Sequence, residues 1–296
     1  MRKVVLAATQ MTCSRDVESN VDKAERLIRQ AAMKGANIIL LQELFENIYF
    51  PQKVDYKYLK WAKPAEDHPL IERMSNLAKE LEVVLPISFF EKCNEMYYNT
   101  VAVIDADGSV LGYYRKSHIP DDPGYYEKFY FSPGDTGFRV WNTRYARIGV
   151  GICWDQWFPE AARCMALQGA EVLLYPTAIG TDPVKREELP NQKVIAERWT
   201  NAMIGHSIAN MVPVVASNRT GIEDMGETSI RFFGSSFITD ETGVIMAQAD
   251  QYGEVILTCE IDLDSPEKTK MMRFRDRRVD LYETLLTKDG KTKIQK

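Results

Sequence analysis

Arg147-Ile148-Gly149-Val150-Gly151-Ile152-Cys153-Trp154-Asp155 is a β-rich apolar run that stops on a thiol and an acid. Its apolar part, Arg147 to Ile152, reads as a strand buried on both faces, and such strands need cover above and below. A helix is expected next over Pro159 to Gln168, then another apolar strand over Glu171 to Tyr175. The alternation continues toward the N-terminus. Val4 to Ala8 reads as a strand, Asn20 to Met33 as a helix and Asn37 to Leu41 as a strand. In that helix Val21, Ala24, Leu27, Ile28 and Ala31 recur at the helical period, with Asn20 as the expected N-cap and Gly35 as the stop. Leu70 to Leu81 is a helix and Val83 to Phe90 a strand, while Asp105-Ala106-Asp107-Gly108 turns a hairpin between Asn99–Ile104 and Ser109–Tyr114.

Toward the C-terminus a helix falls within Asn191 to Ile208, a strand over Pro213 to Ser217 and a loop over Thr220 to Thr228. A hairpin joins Ser235–Thr239 to Val244–Gln248, and Glu254 to Glu260 forms a last strand. Helices and strands in alternation, with hairpins at the edges, predict an α/β layered domain. Two sheets between helix layers would satisfy the pattern, and so would one doubly wound sheet. No linker or repeat of solenoid length interrupts the chain, so residues 1–296 are expected to form a single domain.

The 296 residues are 45% hydrophobic, enough for a large core, and carry a net charge of −5. No basic footprint for nucleic acid is present, and a mildly acidic protein suits a cationic small molecule. The N-terminal apolar run breaks at Thr9 and Gln10, too early for a signal peptide, and no window reaches the roughly 20 apolar residues of a membrane helix. The five cysteines are scattered without a C-x-x-C pair, which points to a reducing, cytoplasmic compartment. With only His68, His118 and His206 besides, no metal site is expected. No Gly-rich phosphate loop follows a strand, so no cofactor is expected either.

Three polar residues stand where strands end: Glu43, Lys116 and Cys153. In α/β folds that is where sites form. A thiol, a carboxylate and an ammonium make a complete hydrolytic set, in which the cation lowers the thiol pKa, the carboxylate moves protons and the ammonium holds an oxyanion. Singly, each has a plainer reading: packed cysteine, surface acid, solvated lysine. His118 is expected to play a structural part close to the site, His68 to start a helix, and His206 to be a hydrogen-bonded helix histidine.

The words around these residues carry more. Leu41-Gln42-Glu43-Leu44-Phe45, Tyr114-Arg115-Lys116-Ser117-His118-Ile119-Pro120, Glu127-Lys128-Phe129-Tyr130-Phe131-Ser132-Pro133-Gly134-Asp135 and the Cys153 stretch resemble, in order and spacing, four signatures of the nitrilase superfamily. The resemblance runs from Val5 to about Leu286. It implies a four-layer α-β-β-α sandwich, Glu43 as general base, Lys116 as catalytic lysine, Cys153 as nucleophile and Glu127 as a second glutamate orienting the lysine and substrate. It also implies a homodimer or higher homo-oligomer, with the Pro159–Gln168 helix at the interface and the segment from about 264 to 296 reaching toward the partner. Ala161, Ala162, Met165 and Ala166 would suit that interface or this subunit's own sheet equally.

Within the superfamily the long words Cys153-Trp154-Asp155-Gln156-Trp157-Phe158-Pro159-Glu160-Ala161-Ala162-Arg163, Tyr175-Pro176-Thr177-Ala178-Ile179-Gly180 and Phe274-Arg275-Asp276-Arg277-Arg278 resemble the branch that hydrolyses N-carbamoylputrescine. That substrate is a urea-like group on a four-carbon chain ending in an ammonium. Its cation would need acids, for which Asp121, Asp122 and Asp182 stand in suitable loops. Its chain would need apolar walls, for which Tyr49, Trp154 and Ile179 are expected, with Thr177 and Ala178 beside them. The rivals are a β-ureidopropionase, a D-amino-acid carbamoylase or an ω-amidase, whose anionic substrates call for Arg or Lys at the far end. A catalytically silent interaction module and a thiol sensor built on Cys153 are the non-hydrolytic alternatives.

Overall fold

The computed structural model describes residues 2–181, 192–264 and 272–291. Its first sheet places the Lys3–Gln10 strand between Val255–Asp262, antiparallel, and Ile38–Leu40, parallel. A parallel bridge from Ile38 to Val84 extends the run to the antiparallel strands Leu85–Cys93, Met96–Ile104 and Val110–Arg115. The second sheet has six strands, in the order Ile245–Gln248, Phe237–Thr239, Val214–Ser217, Val172–Pro176, Arg147–Val150 and Val140–Asn142.

Side-chain alternation explains why both sheets are covered twice. Val4, Leu6, Ala8, Ile38 and Leu40 face Ile148, Val150, Ile152, Val172 and Leu174 in one buried cluster between the sheets. Their neighbours Ala7, Ile39 and Leu41 point the other way, onto the helices Val17–Met33 and Pro69–Leu81. On the second sheet Leu173, Tyr175, Val214 and Ala216 pack under Pro159–Leu167 and Gln192–Asn210. The period of two thus gives each strand one face toward the other sheet and one toward a helix layer. The result is the α-β-β-α sandwich rather than the single doubly wound sheet.

Two readings need correction. The first helix starts a turn early, capped by Asp16, whose side chain accepts from the Ser19 N–H at 3.2 Å. Asn20 lies inside it, and its buried amide donates to the carbonyls of Ser14 and Glu46 at 2.8 and 3.0 Å. It therefore ties the helix to the loop that carries Glu43 instead of capping. The expected loop over Thr220 to Thr228 is largely a hairpin, Thr220–Asp224 against Ser229–Phe233, with Gly180–Thr181 added to its edge. An inward-facing Glu223, 4% exposed, hides the apolar alternation there.

Candidate active site

The turn that carries Cys153 follows from its own sequence. The strand ending at Val150 runs into Cys153, whose φ is +42°, a left-handed conformation that costs a non-glycine residue about 1–3 kcal/mol. Asp155 holds it there. Its buried carboxylate accepts from the Ile152 N–H at 2.9 Å, the Tyr114 hydroxyl at 2.7 Å and the His118 N–H at 3.0 Å. His118 Nδ1 lies 2.7 Å from the same carboxylate, and its ring stacks on Phe158 at 3.6 Å. Gly151 is required beside this turn, because a Cβ would lie 2.9 Å from the Tyr175 ring.

Glu43, Lys116, Glu127 and Cys153 converge, all buried. Lys116 Nζ donates to Glu43 Oε1 at 2.9 Å and to Glu127 Oε2 at 2.6 Å. Asn99 Nδ2 also donates to Glu43 Oε1, at 2.6 Å, and the Asn99 carbonyl accepts from the Lys116 N–H at 2.8 Å. Glu43 Oε2 has no protein partner, which leaves one carboxylate oxygen open to a proton. The Tyr49 hydroxyl donates to Glu127 Oε1 at 2.6 Å.

Burial sets the protonation states. It pushes the Cys153 thiol well above its usual range, and Glu43 pushes the same way, against Lys116. Lys116 lowers this pKa, as expected, but desolvation and an adjacent carboxylate outweigh one cation that two acids already share, so the net shift is upward. Burial also pushes Glu127 up to about 7, with Lys116 opposing it. For Lys116 burial works against the ammonium, but the charges of Glu127 and Glu43 outweigh it and the pKa lies above the ordinary lysine value. The arrangement can thus hold a neutral thiol beside an open carboxylate oxygen and a fixed cation.

A cavity of about 330 Å³ opens onto Cys153, lined by Trp154, Ile179, Gly180, Tyr125, Glu127, Asp122 and the prolines 120 and 123. Of the expected substrate-binding residues it brings together Asp122, Trp154 and Ile179. Tyr49 sits behind it, packed on Tyr125 and Phe232 and bonded to Glu127. Thr177 turns its hydroxyl to Gln156 and the Tyr175 carbonyl, and Ala178 presents only its carbonyl, 4.0 Å from Cys153 Sγ. Asp121 is exposed and does not line the cavity; its neighbour Asp122 does. Asp182 lies outside the described residues.

Sequence reading missed Asn99, Tyr125, Arg219 and Glu223. Asn99 left a trace, as a polar residue at the head of the Asn99–Ile104 strand. Tyr125 left none: its hydroxyl, which accepts from the Gly180 N–H at 2.9 Å, depends on a contact 55 positions away. His206 Nε2 meets the Gln156 carbonyl at 2.7 Å, as a hydrogen-bonded helix histidine should. His68 does start a helix, though neither ring nitrogen has a hydrogen-bond partner. No described helix is long and apolar enough to cross a membrane.

Comparison with known proteins places the chain among carbon-nitrogen hydrolases. The chain is 55% identical to N-carbamoylputrescine amidase of Arabidopsis thaliana, over 98% of this chain and 97% of that one. It is 47% identical to citrullinase of Francisella tularensis, over 97% and 100% of the two chains. A carbon-nitrogen hydrolase of Helicobacter pylori superposes with a TM-score of 0.89 at 40% identity, covering 97% of this chain and 99% of that one. Residues 5–271 match the carbon-nitrogen hydrolase family model, and the chain belongs to that family.

Proposed function

We propose that the protein hydrolyses N-carbamoylputrescine to putrescine, carbon dioxide and ammonia, with Cys153 as nucleophile. Glu43 Oε2 takes the thiol proton as Sγ attacks the urea carbon, and Lys116 holds the oxyanion that forms. Collapse expels ammonia, which receives its proton from Glu43, and leaves an S-carbamoyl enzyme. Water, deprotonated by Glu43, attacks that carbonyl; the C–S bond breaks and the thiol recovers its proton. The released carbamate loses carbon dioxide to give the amine. Glu127, tied to Tyr49, keeps Lys116 in place.

The observation that carries the choice of substrate is the charge of the cavity. Asp122 and Glu127 line it, and no Arg or Lys does among the described residues. A distal ammonium finds an acid there, whereas a carboxylate would meet repulsion and no partner. Citrulline is the rival that the Francisella relative raises. It carries the same ureido group with a carboxylate added at the far end, and this lining disfavours it. We propose Asp182 as a second acid from the segment that follows Gly180, with Tyr125 and Trp154 flanking the carbon chain.

Ammonia release over a panel should rank N-carbamoylputrescine well above citrulline, N-carbamoyl-β-alanine and N-carbamoyl amino acids. Asp122→Asn should raise KM for the cation about 3- to 10-fold, since an exposed charge-assisted contact is partly screened, and leave neutral butylurea unchanged. Preference for a carbamoyl amino acid would end the polyamine reading and leave the cysteine chemistry standing.

We further propose that the protein works as at least a homodimer in the cytoplasm. Ala161, Ala162, Met165 and Ala166 are buried within this subunit, so the contact would run through the other face of that helix. A groove of about 630 Å³ lies there, between Pro159 and Arg163, Ala202 and Ala209, and Tyr282 and Leu285 of the C-terminal segment. Leu281 and Leu286 stay exposed nearby in sequence, apolar surface that a partner would cover. Light scattering that finds a stable, active monomer would refute the dimer.

A further inference from the structure

The turn that delivers Glu43 is held by a buried ion pair that no step of this chemistry uses. Leu44 stands at φ +49°, a left-handed conformation that a branched side chain avoids. The carbonyls of Glu43 and Leu44 both accept from Arg219 Nη2, at 3.0 and 2.6 Å. Arg219 Nη1 donates to Glu223 Oε1 at 2.6 Å, and the other Glu223 oxygen accepts from the Tyr49 N–H. Tyr49 in turn reaches Glu127. One pair therefore grips both ends of the loop from Glu43 to Tyr49, and that loop supplies the open carboxylate and the hydroxyl that fixes Glu127.

The pair comes from a different part of the fold. Arg219 follows the Val214–Ser217 strand of the second sheet, and Glu223 lies on the Thr220–Asp224 strand, whereas Glu43 follows Ile38–Leu40 of the first. Both side chains are buried, Arg219 fully and Glu223 at 4% exposure. A buried ion pair is poor value as a source of stability, because its desolvation rivals its attraction. Its geometry is what an apolar pair would lack. The guanidinium fork meets two carbonyls on one side and a carboxylate on the other, which the single ammonium of a lysine cannot match.

We infer that Arg219 and Glu223 are positioning residues for Glu43: they hold the strained turn that places its carboxylate, with Oε2 unpartnered, in the buried cluster with Lys116 and Cys153. The inference rests on the reading of Glu43 as the general base. Misplacing a proton acceptor by about 1 Å can cost on the order of 10²-fold in rate. Arg219→Lys should therefore lower kcat about 10- to 100-fold with KM for N-carbamoylputrescine within about twofold. Glu223→Gln should show the same split, with a loss of about 10-fold.

The test is a double-mutant cycle with Glu43→Gln, measured on purified variants whose melting temperatures are recorded. If the pair acts through the base, Arg219→Lys should cost less than about threefold once Glu43 is already Gln. Loss of general packing would instead cost the same factor in both backgrounds and would overturn the inference, as would a single variant with near-normal kcat. Should Arg219→Lys not fold, Glu223→Gln carries the same cycle alone with the same criteria. If Glu43→Gln by itself keeps near-normal turnover, the base assignment fails, and that arm separates its failure from a failure of the clamp.

Discussion

Cys153→Ala should fold normally and hydrolyse N-carbamoylputrescine at least about 10⁴-fold more slowly than the wild type, without a measurable burst. The substitution removes one sulfur from a buried site, so its melting temperature should move by only a few degrees. Cys153→Ser should be nearly as inactive, because a hydroxyl is far harder to deprotonate beside a carboxylate. The state of the thiol gives a second readout. Burial and Glu43 hold it well above its usual pKa, so little free thiolate exists at neutral pH. Alkylation of Cys153 by iodoacetamide should then depend on Glu43 Oε2 taking the proton in the same step. In the wild type the rate should be nearly flat from about pH 6.5 to 8.5. In Glu43→Gln it should be slower and rise about tenfold per pH unit, as free ionisation of a high-pKa thiol requires. Substantial turnover by Cys153→Ala, or equal alkylation slopes in the two proteins, would contradict the mechanism.

Most of the layered fold was legible because it rests on periodicity. Leu6 and Ala8 against Ala7, or Leu174 against Leu173, declare two covered faces in a few letters. Whether one sheet or two resulted could not be read that way, since both satisfy the same alternation. Glu43, Lys116, Glu127 and Cys153 were visible through the words around them, and the folded chain brings them within hydrogen-bonding reach or into one buried cluster. What stayed hidden was of another kind. Asn99, Tyr125, Arg219 and Glu223 act through contacts between distant segments, and an acid on a strand such as Glu223 looks solvent-facing until the opposite layer is in place. The net direction of the Cys153 shift could not be read for a related reason. Sequence shows that a lysine is near, but not that two carboxylates already claim it and that the thiol is dry.

Lys116→Met should be the most damaging change to the charged cluster, and its two effects can be separated by pH. The side chain keeps its length and loses its charge, so the oxyanion loses its fixed cation and kcat should fall about 10²- to 10³-fold. Stability should suffer as well. Lys116 is buried between Glu43 and Glu127, and removing one partner from a buried ion pair costs about 3–5 kcal/mol, on the order of 10 °C in melting temperature here. The pH dependence follows from Glu127. Its folded pKa is already pushed up to about 7 by burial, while Lys116 opposes that rise. Without Lys116 it must go higher, whereas the unfolded chain keeps an ordinary glutamate near 4.3. A carboxyl raised on folding binds its proton more tightly in the native state. Its contribution is fully present below the unfolded pKa and is lost as pH rises through the folded one. Lys116→Met should therefore melt closest to the wild type near pH 5 and fall behind steadily from pH 6 to 9. Adding Glu127→Gln should restore much of the melting temperature at pH 8, by removing the stranded charge, and restore none of the activity. A melting deficit in Lys116→Met that is the same at pH 5 and pH 9 would mean that the three groups do not share one proton balance, and the electrostatic account of the site would have to be abandoned.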